Sequence, residues 1–361
     1  QATVGGELNR FDFSDFKYPS TPGYEPGRLQ VSKFNNRMLN AELLAIYQET
    51  WGNWDLTATA GANIYNVNNH TLIATGQQMS VRDRIAMDSF DDQSAEENMY
   101  RKRIVSVFGS VNLGWKHMLY LDATVRGDKS STLPAGNNLY VYPSVSGSWV
   151  FSELITANRK VLPYGKLRLS FAEVGSDTDP YQLQLRYANA KFGYPGFTIA
   201  SIYGNAMPNA DLKPTRTRSV ETGFETKWCN NRISLDFTYY WQKSRDQIIA
   251  MATSPTTGFD YRMINAGEIL NQGFEISFGS RLVQTKDFSW DLNINWAKNI
   301  NTVLDLVPGT DELELASATW CNVYVAAKVG EQYGAICGHD FKRNDKLGMF
   351  AEVLRLEYDP N

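Results

Sequence analysis

The sequence predicts an all-β fold, an antiparallel up-and-down transmembrane β-barrel. Three observations carry this reading. Hydrophobicity alternates with period two wherever it has a period, short and long connections take turns along the chain, and no stretch approaches the roughly 20 consecutive apolar residues of a membrane helix.

The alternation is clearest from Val105, where Val105, Val107, Gly109, Val111, Leu113 and Trp115 are interleaved with Ser106, Ser110 and Asn112. Leu119, Leu121, Ala123 and Val125 oppose Tyr120, Asp122, Thr124 and Arg126 in the next run. Leu235, Phe237, Tyr239 and Trp241 oppose Ser234, Asp236 and Thr238, and Trp290, Leu292, Ile294 and Trp296 oppose Asp291, Asn293 and Asn295. Side chains of a strand point alternately to its two faces, so each run has one apolar and one polar face. Ten strands are expected, at 38–51, 54–66, 100–115, 118–128, 139–151, 164–175, 215–228, 232–249, 265–284 and 288–303.

Tight turns are expected at Gly52-Asn53, Lys116-His117, Asn230-Asn231 and Lys286-Asp287, and a short helix at Ser152 to Pro163. Long polar connections fall at 66–99, 129–138, 176–214, 250–263 and 301–339. In an up-and-down barrel every second connection lies on the same rim, so this segregation by length is that of an outer-membrane barrel. Trp51, Trp54, Trp115, Trp228 and Phe288 stand beside the short turns, where an interfacial aromatic girdle belongs.

Composition agrees. Among 361 residues, aromatics make up 13% and charged residues only 20%, below the roughly 25% of ordinary soluble domains. The formal net charge of −4 leaves no basic excess for a phosphate backbone, which excludes nucleic acid as a partner. Alternation then assigns the faces: Val107, Val111, Leu121, Val125, Leu235, Phe237, Leu292 and Ile294 to lipid, and Asp122, Arg126, Asp236 and Asn293 to the lumen.

Signatures of catalysis are missing: no phosphate-binding loop, no spaced glycine fingerprint, no Cys-x-x-Cys. The reading is of a non-enzyme without cofactor. Cys321, Cys337 and His339 share one stretch but fit no zinc spacing, so no metal is expected. Arg126-Gly127-Asp128 reads as a rim turn. The 176–214 connection holds an aromatic cluster, of which Tyr187, Phe192, Tyr194 and Tyr203 are the candidates for stacking on a ligand or partner at the outer rim, together with the 301–339 connection.

Specific strings resemble the TonB-dependent outer-membrane transporters of the SusC/RagA type. They are Tyr120-Leu121-Asp122-Ala123-Thr124-Val125-Arg126-Gly127-Asp128-Lys129-Ser130-Ser131 with Tyr142-Pro143-Ser144-Val145-Ser146-Gly147-Ser148-Trp149 and Ser152-Glu153. To these are added Leu212-Lys213-Pro214-Thr215, Glu221-Thr222-Gly223-Phe224-Glu225, Thr257-Gly258-Phe259, Asn265-Ala266-Gly267 and Asn271-Gln272-Gly273-Phe274-Glu275. The resemblance implies a multi-pass barrel of 22 strands in the outer membrane of a Gram-negative bacterium, of the kind found in Bacteroidota. It implies active import of oligosaccharides or peptides, energised by TonB through an N-terminal region and served by a SusD-like surface lipoprotein that captures the ligand. Residues 1–361 are accordingly expected to be one segment of a larger barrel domain, a partial barrel of about ten or more strands, with plug, TonB box and C-terminal strands lying elsewhere. Two alternatives stand beside this reading: a passive outer-membrane porin, and a soluble secreted glycan-binding β-sandwich.

Overall fold

The computed structural model describes the chain except residues 83, 156–160, 190–198, 203–205, 308, 319–322, 344–349 and 358–361, and gives the backbone alone at 188–189, 201–202, 252, 255, 339–343 and 350–357. The strands are β1 (Ala2–Lys17), β2 (Arg28–Trp51), β3 (Trp54–Met79), β4 (Phe90–Trp115), β5 (Leu119–Ser130), β6 (Leu139–Trp149), β7 (Tyr164–Ser176), β8 (Tyr187–Asn189), β9 (Ala200–Ile202) and β10 (Ala206–Met207). They continue with β11 (Thr215–Trp228), β12 (Ile233–Ala252), β13 (Tyr261–Gln284), β14 (Ser289–Asp305), β15 (Glu312–Ser317), β16 (Val323–Lys328), β17 (Ala335–Arg343) and β18 (Phe350–Glu357). One 12-stranded sheet runs β1-β2-β3-β4-β5-β6-β7-β11-β12-β13-β14, all antiparallel neighbours, with β10 joining β13 by a short parallel bridge. This is the expected partial up-and-down barrel.

Register explains why the apolar positions add up to a wall. Trp51 pairs with Trp54, Trp54 with Trp115, Trp115 with Leu119, Leu119 with Trp149, and Trp149 with Leu167. The row of aromatics therefore follows the short-turn rim, with the Trp54 and Trp115 rings 6.1 Å apart. Val107, Val111, Leu121, Val125 and Ile294 are 65, 47, 49, 50 and 51% exposed. A sandwich would cover these side chains with a facing sheet, and among the described residues none does so. The turns are those the sequence predicts: Gly52, Lys116, His117, Asn230 and Asn231 all take positive φ, the conformation that matches hairpin twist.

Ten residues separate Trp54 from Ile64 on β3, about 25 Å of membrane height at a rise near 3.3 Å and a tilt near 40°. That is the height of an outer-membrane barrel's apolar band. Strand β3 then continues for fifteen residues to Met79, standing about 35–40 Å above the band. Here the sequence reading needs correction. The expected connection 66–99 is strand except for 80–89, β2 begins at Arg28 rather than 38, and β1 was not foreseen. The reason is physical: above the membrane both faces meet water, so Asn66-Val67-Asn68-Asn69-His70-Thr71 shows no alternation although it pairs throughout with β2 and β4.

Three smaller corrections follow. Arg126-Gly127-Asp128 lies within β5, with Arg126 and Asp128 ion-paired along the strand, and is not a turn. The 301–339 connection is built rather than open: β15 to β18 form a four-stranded sheet, and Val303, Leu306 and Ala327 make a small buried core under it. The helix expected at 152–163 is a single 3-10 turn, Phe151–Leu154, followed by residues outside the described set.

Candidate functional site

The polar face of the sheet carries a lattice of paired charges, and the long connection between β7 and β11 is fastened to it. Inward alternation places Asp122 and Arg126 of β5, Asp236 of β12 and Asn293 of β14 on this face, opposite to Val111, Leu121 and Ile294. Asn112 and Ser146, the latter at 3.4 Å, donate to Asp122. Arg126 donates to Asp128 at 2.9 Å and to Ser106 at 2.8 Å, and its guanidinium lies over the Phe108 ring. Tyr142 donates to the other oxygen of Asp128.

Further along, Arg168 of β7 reaches two strands away and donates to both oxygens of Asp236, at 2.6 and 3.2 Å, and to Thr238. It can do so because Gly223 of β11, which lies between them in register, has no side chain in its path. Tyr240 crosses Gly273 in the same manner to donate to Asn299 at 3.0 Å. Glycines inside strands mark such close approaches, a signal the sequence carried and the sequence reading did not use. Arg168, Asp236, Thr238, Glu275, Ser277 and Asn295 line a concavity of about 450 Å³. On the opposite, outward face Arg216 and Arg218 clasp Glu173 at 3.0 and 2.7 Å.

The connection after β7 is held at both ends. At its start Asp177, 8% exposed at the side chain, accepts from Lys102 at 2.5 Å, from Thr132 at 3.1 Å and from Ser130. At its end Asn265 of β13 accepts from the Lys213 backbone N–H at 2.8 Å and donates to the carbonyls of Lys213 at 2.7 Å and Asp246 at 2.9 Å. Leu212, completely buried, packs there with Leu133, Tyr140 and Met263. This apolar cluster sits on the otherwise polar face, so the loop folds across that face instead of rising freely from the rim. Replacing Asn265 by Ala should leave the two carbonyls without their donor and loosen the clamp by about 1 kcal/mol; faster proteolysis between 177 and 214 in the assembled full-length protein is the readout.

Of the four aromatics singled out in the sequence, Tyr187 stands at the start of β8 and is 69% exposed. Phe192, Tyr194 and Tyr203 lie outside the described residues, as does Cys321. Cys337 is buried, and among the described residues no group of three potential metal ligands occurs.

Comparison with known proteins agrees with this geometry. The model of the TonB dependent receptor-like β-barrel matches residues 2–320. TonB-dependent receptor P26 of Formosa agariphila is 27% identical over 300 residues, covering 81% of this chain and 30% of that protein. TonB-dependent receptor SusC of Bacteroides thetaiotaomicron is 29% identical over 238 residues, covering 63% of this chain and 24% of that one. A structure of the RagAB peptide transporter superposes with a TM-score of 0.81 over 96% of this chain and 38% of that chain, at 19% identity, which is a likeness of fold. The chain thus spans about a quarter to a third of the length of these curated relatives.

Proposed function

This chain belongs to the TonB dependent receptor-like β-barrel family, whose members lie in the outer membrane, and we propose that it forms part of the wall of an active importer of oligosaccharides or peptides. In this reading the polar face is the lumen, TonB supplies the energy through a region outside these 361 residues, and a SusD-like lipoprotein delivers the ligand to the long-loop rim. The observation that carries it is the loop at 177–214, fastened to the polar face at Asp177 and Asn265. In this reading a loop so placed narrows the path, with the exposed Tyr187 on it. The ion pairs beneath suit passage of a neutral or zwitterionic ligand, because neither Arg168–Asp236 nor Arg126–Asp128 presents an unpaired charge to trap it.

The test is made in the full-length transporter, with Tyr187, Phe192, Tyr194 and Tyr203 replaced together by Ala. Uptake of the native nutrient is expected to fall at least about tenfold, since stacking of a sugar or peptide side chain on a ring contributes of order 1 kcal/mol per aromatic. Assembly, read from heat-modifiable migration, is expected to be unchanged. Unaltered uptake together with unaltered lipoprotein co-purification would leave these rings only a packing role.

A further inference from the structure

The outward face changes character abruptly above the apolar belt. On β3 the outward positions run Ala58, Ala60, Ala62, Ile64 and then Asn66, Asn68, His70, while on β4 Val111, Gly109, Val107, Val105 give way to Arg103 and Arg101. Strand β2 does the same, from Leu43, Ala41 and Leu39 to Arg37 and Lys33, and β1 adds Arg10. No register shift interrupts these pairings, so the basic side chains lie on the same face as the lipid-exposed valines. The break falls about 25 Å above the Trp51, Trp54 and Trp115 girdle, at the level where the outer leaflet's headgroups begin.

On the polar face Lys102, Arg126, Arg168 and Arg281 each have a carboxylate partner, and on the outward face Arg216 and Arg218 share Glu173. Arg10, Lys33, Arg37, Arg101 and Arg103 are exposed and form no ion pair with a described residue. Nearby Glu97 is taken up by His70 at 2.5 Å, leaving Asp12 as the one other acid of the concavity of about 660 Å³ that Arg10, Lys33, Arg37 and Arg101 help to line. Arg37, Asn68 and Arg101 stand side by side in register across three strands. Below them Ala45, Ala58, Ala60, Gly109 and Ala123 open an apolar groove of about 610 Å³ at the depth where outer-leaflet chains end.

We propose that this face binds a phosphorylated lipid of the outer leaflet, its phosphate held by Arg37, Arg101 and Arg103 and its acyl chains lying in the small-residue groove beneath. Unpaired guanidiniums beside hydrocarbon match an anionic headgroup in charge, and Arg forks match phosphate oxygens in geometry. A free soluble anion would use the cations but not the groove, and the alignment of the two favours the lipid.

The experiment uses the full-length transporter in detergent, titrated with phosphorylated lipid A, dephosphorylated lipid A or inorganic phosphate and read by native mass spectrometry. Phosphorylated lipid A should bind the wild type, and the Arg37→Gln, Arg101→Gln, Arg103→Gln triple variant should bind it about a hundredfold more weakly, at about fivefold per charge near a lipid surface. Dephosphorylated lipid A should bind wild type and triple variant alike. Equal wild-type binding of the two lipids would overturn the proposal without any variant, so it remains testable if the substitutions impair assembly. Unchanged lipid binding by an assembled triple variant would overturn it, as would full displacement of the lipid by inorganic phosphate. Loss of an acidic protein or of a second copy of the chain, with lipid binding retained, would assign the face to that partner instead.

Discussion

Replacing Asp177 by Ala should destabilise the docked loop by about 3 kcal/mol, the low end of the cost of stripping one partner from a buried ion pair. The low end applies because the Lys102 side chain keeps 17% of its exposure and can reach some water. The variant also removes the acceptor shared by the Ser130 and Thr132 hydroxyls, both in residues only 1% exposed, and leaves them only each other, at 2.9 Å, as side-chain partner. In the assembled full-length transporter, proteolysis within 177–214 should become faster by about two orders of magnitude, while the strands themselves stay protected. Removing the charge on both sides, Lys102→Met with Asp177→Asn, should restore more than half of the loss, because neither partner is then a buried ion without a counter-ion. If the single variant is as protected as wild type, Asp177 does not anchor the loop.

Gly273→Ala is expected to cost about 1–3 kcal/mol in barrel stability. A Cβ at this position would lie 2.2 Å from the Lys298 carbonyl oxygen and 2.7 Å from the Tyr240 hydroxyl. The first obstacle is backbone in a paired strand and cannot swing away. The second is the hydroxyl that bridges to Asn299. Gly147→Ala provides the comparison, since nothing lies within 4 Å of its added Cβ, and it should be neutral within about 0.5 kcal/mol. Urea-dependent folding of the full-length protein into lipid vesicles would measure both; equal midpoints for the two variants would show that β13 and β14 are not held at the separation described.

The two glycines also show how the strings that marked the family in the sequence come to be there. Gly223 and Gly273 are gaps through which Arg168 and Tyr240 reach the next strand but one. Asn265 and Lys213, 52 residues apart, are two halves of one clamp. Ser130 and Asp177 are halves of the other. Each string looks like a local turn or strand fragment until its partner is adjacent.

What the sequence by itself determined was the part written in period two. Strands β5, β6, β7 and β11 to β14, their order, their hairpin turns and the apolar face all follow from alternation, because in the bilayer only one face can meet hydrocarbon and a one-residue slip would bury every charge there. What only the tertiary structure decided lies where that constraint lapses. Above the band both faces are wet, so β1 and the upper halves of β2, β3 and β4 carry no periodic mark and are held by backbone pairing to their neighbours. The fastening of the 177–214 loop and the gathering of Arg37, Arg101 and Arg103 were equally invisible, since each depends on register between strands far apart in the chain. Alternation states which face a residue takes; it does not state what stands beside it.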